Sequence, residues 1–157
     1  MKRKKTLRIL AILIVAGVLV GAGIGLYMFF MPQRDIRNLP ADYNVNASGL
    51  VAEFLDDIGS ANRKYLAADG ESKILEVTGT VARISENFNG EKVVLLKGDN
   101  DKAGVSCTFM HETNERVIGI ETGDIVSIKG VIRSGAYYDE DLEMYINVTV
   151  EKSDLVD

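Results

Sequence analysis

The stretch Lys73-Ile-Leu-Glu-Val-Thr-Gly-Thr-Val-Ala-Arg-Ile84 constrains the fold most. It is rich in β-branched residues and carries a single glycine, Gly79, the composition of a strand with a bulge or sharp bend in its middle. Leu75, Val77 and Val81 share one face at period two, whereas Ile84 falls on the other, so an extra residue is expected near Gly79. A long strand bent in this way can pair with one neighbour along its first half and another along its second. A small sheet then curls into a barrel.

The rest of that barrel follows in the sequence. Asn89-Gly90 is a strong hairpin signal, and Glu91 to Leu96 supplies a second strand. A turn over Lys97–Lys102 leads to a third, in which Val105, Cys107 and Phe109 alternate with Ser106 and Thr108. Between His111 and Thr122 there is room for one or two helical turns. The fourth strand carries Val126, Ile128, Gly130 and Ile132 on one face. In the fifth, Leu142, Met144, Ile146, Val148 and Val150 alternate with polar residues up to Glu151. Five strands in this order, with a helix between the third and fourth, predict a mainly β chain whose residues 73–152 form an OB-fold, the five-stranded Greek-key barrel.

Upstream, residues 1–8 hold five basic side chains and no acid, and residues 9–31 run apolar without a charge. A helix of that length reaches roughly 34 Å, enough to cross a hydrocarbon core of about 30 Å. It reads as an uncleaved transmembrane anchor, because a signal peptide has an apolar core of about 7–15 residues and a small-residue cleavage site, whereas this run ends in Tyr27-Met-Phe-Phe-Met31. The basic residues before the span keep the N-terminus cytoplasmic and the rest outside. Gly17, Gly21 and Gly25 recur every four residues, the small-xxx-small pattern by which two membrane helices self-associate into a homodimer. Residues 32–44 contain both prolines, Pro32 and Pro40, and read as a linker. Over residues 45–72, Leu50, Val51, Phe54, Leu55, Ile58, Ala61 and Tyr65 recur at helical spacing. They predict an amphipathic helix capped by Asn46 or Ser48 and stopped by Asp69-Gly70.

The motifs Val77-Thr-Gly-Thr-Val81, Val105-Ser-Cys-Thr-Phe109 and Gly123-Asp-Ile-Val-Ser-Ile-Lys-Gly130, with the lead-in Ala61-Asn-Arg-Lys-Tyr65, resemble the bacterial tRNA_anti-like OB domains over residues 47–151. The resemblance implies a small exported or membrane-anchored bacterial protein without an assigned activity. The expected address is the bacterial inner membrane, single-pass, with the C-terminal domain periplasmic.

Candidate chemistry is sparse. Asp99–Gly104 begins like a calcium loop, but Ala103 and Met110 stand where oxygen ligands are required. The single cysteine, Cys107, falls at an inward position and excludes an intrachain disulfide. With His111 as its only soft partner it makes no zinc site. Asp139, Glu140, Asp141 and Glu143 crowd one loop and read as a solvated turn. The arginines Arg63, Arg83, Arg116 and Arg133 are scattered, so no enzyme, metal or cofactor is expected. OB-folds take ligands between the first-second and fourth-fifth loops, which here place Phe88, Tyr137, Tyr138, Asp139 and Asp141 as the candidate binding residues. Residues 32–157 carry 13 basic and 23 acidic side chains, a net charge near −10, which disfavours nucleic acid. The chain is therefore expected to be a membrane-anchored, non-enzymatic binding or assembly module. Its expected partner is an envelope protein or a small cationic or neutral ligand, with a single-stranded nucleic-acid binder and an envelope hydrolase or nuclease as the alternatives.

Overall fold

The computed structural model describes residues 2–29, 36–68 and 71–157. It comprises two units, one up to Arg34 and one from Asp35 to Asp157. In the first, α1 (Lys2–Phe29) is an unbroken helix of 28 residues. Its described side chains run from Leu13 to Tyr27, and the apolar ones are exposed, Leu19 at 67% and Tyr27 at 69%. Among the described residues no helix is long and apolar enough to cross a membrane. The predicted span over 9–31 lies partly outside them, as do the side chains of the basic tail, the start of the linker at 32–35 and the stop signal Asp69-Gly70.

The second unit is mainly β. A 3-10 turn (Ile36–Asn38) and β1 (Tyr43–Asn46) precede α2 (Ala47–Asp56) and α3 (Ile58–Tyr65). Then come β2 (Ile74–Glu86), β3 (Lys92–Leu96), β4 (Val105–Phe109), a 3-10 turn at Asn114–Val117, β5 (Ile125–Ser134), β6 (Tyr137–Asp139), β7 (Met144–Ile146) and β8 (Val148–Leu155). Strand β2 pairs antiparallel with β5 along Ile74–Thr80 and with β3 along Val81–Glu86. The pairings β3–β4, β4–β8 and β8–β5 close the ring, with β4–β8 parallel. This is the closed five-stranded barrel expected from the sequence.

Four details differ from expectation. The β2–β3 register slips between Val81 and Arg83, at Ala82 rather than at Gly79. Gly79 serves another purpose: a β-carbon there would lie 2.8 Å from the Cβ of Ala47 and 3.2 Å from that of Leu96, so the missing side chain lets α2 sit down on the barrel. The linker read over 32–44 contains ordered structure, since Ile36 packs with Ile74 and Val131 and β1 pairs parallel with β2. The single helix is two. Asp57 ends α2 and caps α3, its carboxylate accepting from the backbone N–H and hydroxyl of Ser60, which also holds it below the usual carboxylate range. Finally, the fifth strand read from Leu142 to Glu151 divides at Asn147. Met144–Ile146 pairs with β6 in a separate hairpin, and the barrel strand β8 starts at Val148 and runs on to Leu155.

The core joins barrel and helices. Val77, Val81, Val94, Leu96, Val105, Cys107, Phe109, Ile128, Ile132, Val148 and Val150 fill the barrel, and Leu50, Val51, Phe54, Ala61 and Tyr65 cover it. Each large side chain so buried stabilises by about 1.5–3 kcal/mol. A polar clamp holds the two helices together: the Tyr65 hydroxyl donates to Glu53 at 2.9 Å, and the Lys64 ammonium approaches the same carboxylate at 2.9 Å. Asn46 caps α2 as expected, its Oδ1 accepting from the Ser48 N–H at 3.0 Å.

Candidate functional site

The β6–β7 hairpin stands outside the barrel and leans on α2. The chain enters it through Gly135 and Ala136, both buried, and Gly135 leaves the space that the Phe54 ring occupies. At its far end Asp139 Oδ1 accepts from the N–H groups of Asp141 and Leu142 at 3.0 Å each, and Glu143 takes a left-handed conformation (φ 52°). Across the hairpin Tyr138 pairs with Tyr145, their ring centroids 4.9 Å apart.

Between this hairpin and the α2–α3 junction lies a cleft of about 350 Å³, lined by Phe54, Leu55, Asp56, Ile58, Lys102, Tyr137, Tyr138 and Tyr145. Lys102 reaches it from the β3–β4 loop, where its neighbours are fixed on both sides. Asp101 accepts from the Ser48 hydroxyl at 2.6 Å and from the Gly98 N–H at 2.8 Å, Ala103 is buried, and the Gly104 N–H donates to Asn147 at 2.8 Å. The Lys102 ammonium lies 5.4 Å from the centroid of the Tyr145 ring. A second hollow, of about 480 Å³, is lined by Glu76, Ile120, Ile125, Val126, Ser127, Leu155, Val156 and Asp157 and has no aromatic ring.

The candidate residues fall in different places. Tyr137 and Tyr138 line the cleft and are 42% and 47% exposed. Asp139 and Asp141 do not line it, and the Asp139 carboxylate is committed to the hairpin turn. Phe88 is fully exposed at the tip of the β2–β3 hairpin, away from the cleft. That hairpin turns through Gly90 (φ 77°) and docks on the other 3-10 turn, where Asn114 donates to the Gly90 carbonyl and accepts from the Lys92 N–H, both at 2.8 Å. Gly17, Gly21 and Gly25 belong to the first unit, and a β-carbon at each would meet nothing within 4 Å. Phe54, Leu55, Asp56, Ile58, Lys102 and Tyr145 join the site from parts of the chain where the sequence reading saw only packing or a turn.

The groups weighed for chemistry stay apart from the cleft. Cys107 is wholly buried, and burial pushes its thiol up to about 12, the opposite of a nucleophile's environment. Among the described residues no three His, Cys, Asp or Glu side chains converge as metal ligands. The arrangement can stack a planar or cationic group on rings and place a charge at its edge.

Comparison with known proteins agrees with the barrel. Among solved structures the chain resembles a "putative nucleic acid-binding lipoprotein" of Klebsiella pneumoniae subsp. pneumoniae MGH 78578, with a TM-score of 0.52 and 15% identity over 72% of this chain and 91% of that one. At that identity the likeness is one of fold. No curated protein matches the chain. The family profile described as tRNA_anti-like matches residues 1–140, most of the chain. With the closed OB barrel in place and the profile matching the chain through β6, the chain belongs to the tRNA_anti-like family.

Proposed function

We propose that this chain is a membrane-tethered, extracytoplasmic binding module that takes its ligand in the tyrosine cleft and catalyses no reaction of its own. The cleft carries the reading: an aromatic-walled concavity, assembled from three separate parts of the chain and open to solvent, is the usual form of a small-ligand or side-chain site. Support for the tether comes from the charge-free run over 9–31 and from the backbone of α1, whose 28 helical residues extend about 42 Å. Five basic residues before the run, against Arg34 and Arg37 after it, favour a cytoplasmic N-terminus. The address is then the bacterial inner membrane, with the OB domain in the periplasm or at the cell exterior. Gly17, Gly21 and Gly25 offer that helix a face for pairing with a second copy. The partner is an envelope protein or a small cationic or neutral molecule.

A second reading, single-stranded nucleic-acid binding, is favoured by one observation: the Lys102 ammonium stands beside rings on which bases can stack. Two measurements test the first reading. A reporter active only outside the cytoplasm, fused after Asp157, is active while the full-length chain stays in the membrane; a soluble form starting near residue 32 would show a cleaved signal instead. A photocrosslinking residue at position 138 captures a discrete partner in cells, and the same residue at position 88 does not.

A further inference from the structure

Resting on the cleft reading above, we infer that the group the cleft accepts is an alkylammonium, seated on the rings of Tyr138 and Tyr145 with Asp56 as its counter-charge, and that Lys102 is the stand-in it displaces. The stand-in is the key observation. An ammonium already lies 5.4 Å from the Tyr145 centroid, within the range of a cation–π contact, and among the described residues Lys102 makes no ion pair. The loop explains why. Its backbone is pinned through Asp101 and Gly104 and by the buried Ala103, so the root of the Lys102 side chain is fixed and the ammonium reaches the ring from it.

The surroundings favour a cation over an anion. Apart from Lys102, Asp56 is the only charged group lining the cleft among the described residues. The hairpin that forms one wall turns through Glu140, Asp141 and Glu143, all exposed, and the chain beyond residue 31 has a net charge near −10. A field of that sign draws cations toward the rings and repels phosphates. Ile58, 46% exposed, supplies an apolar wall against which a methylene stem can lie, as the stems of lysines do on apolar surfaces. Two sources present this chemistry, a free polyamine and a lysine on a partner protein.

The test uses the full chain in lipid nanodiscs, titrated with spermidine and with the peptide N-acetyl-Gly-Lys-Gly-amide while the Tyr138 and Tyr145 ring resonances are followed by NMR. Either probe should shift both rings, and which of the two binds more tightly identifies the source. Lys102→Ala separates the alternatives by sign. If Lys102 is a competitor, its removal tightens ammonium binding by about three- to tenfold; if the cleft is an anion site, removal weakens every ligand. Tyr138→Phe should keep binding and Tyr138→Ala lose it, with thermal unfolding of both compared to exclude loss of the hairpin. No shift with either probe, or weaker binding in Lys102→Ala, overturns the inference. A partner captured from position 138 in a chain that binds neither probe would leave the cleft standing as a site and remove only the ammonium.

Discussion

The Phe54 ring occupies the space that a β-carbon on Gly135 would need. Phe54 is 1% exposed and part of the core, and Gly135 is where the barrel chain departs into the β6–β7 hairpin. Contact between the two therefore sets how far the hairpin stands from α2, and with it the width of the cleft. Gly135→Ala should cost about 1–3 kcal/mol as an overpacking substitution, read as a lower urea midpoint at unchanged slope. Phe54→Leu on that background should recover part of the loss, a coupling that a double-mutant cycle measures. Additive effects would show that the two residues do not set the hairpin's position together.

The barrel was legible because its signals are local and agree: alternation, an Asn-Gly turn and one long strand serving two neighbours. Misreadings arose where the same pattern has two causes. The alternation from Leu142 to Val150 looks like one strand because Met144–Ile146 and Val148–Val150 happen to share parity, yet they pair with different partners on either side of Asn147. The apolar helical period runs through Asp57 unchanged, so the break between α2 and α3 is visible only in the cap that Asp57 makes to Ser60. Gly79 signalled a departure from regular strand packing, but a close approach by Ala47 is a tertiary fact that no local pattern records. The same holds for the cleft. Tyr137 and Tyr138 could be named from their loop, whereas Phe54, Lys102 and Tyr145 are joined to them only by the packing of the hairpin on α2.

The Glu53 clamp predicts a pH dependence. The hydrogen bond from Lys64 lowers the Glu53 carboxyl below its ordinary 4.5, so the pair contributes stability that is present above that value and lost as pH falls through the lowered folded value. The pair is nearly half exposed, and solvent screening limits its worth to about 0.5 kcal/mol. Glu53→Gln, which keeps an acceptor for the Tyr65 hydroxyl, should be less stable than wild type at pH 7 and converge with it as pH falls through the lowered Glu53 value. Asp57 and Glu86 also have lowered carboxyls, so only the difference between wild type and variant reports on Glu53. A gap that does not change with pH across the acid range would place the stabilisation elsewhere.

Cys107 gives a test of the barrel's closure. Its side chain is wholly buried between Val105 and Phe109, with the thiol pushed up to about 12. A maleimide at pH 7.5 should leave the native chain unlabelled for hours and react within minutes in denaturant, because only the thiolate of an accessible cysteine attacks. Rapid labelling under native conditions would mean that β4 is not enclosed by β3 and β8.

The last prediction concerns nucleic acid. Affinity for a phosphate backbone comes mainly from lysine and arginine, and single-strand OB binders combine a positive groove with stacking rings. Here three of the barrel's cations are held by acids: Lys92 pairs with Glu86 at 2.7 Å, Arg133 with Glu151 at 3.0 Å, and Arg116 with Asp154 and Asp157. On the β3–β4 side Lys97 and Lys102 alternate with Asp99 and Asp101, so little net positive field is left there. Beside the cleft the hairpin presents Glu140, Asp141 and Glu143 to anything approaching Tyr138, and a polyanion would meet like charge before it reached the rings. Labelled single-stranded DNA and RNA should therefore show no rise in fluorescence anisotropy with the full chain at low salt, where electrostatic binding is strongest. Micromolar or tighter binding that weakens as salt is added, and that is lost in Lys102→Ala, would overturn this expectation and make the cleft a stacking platform for bases.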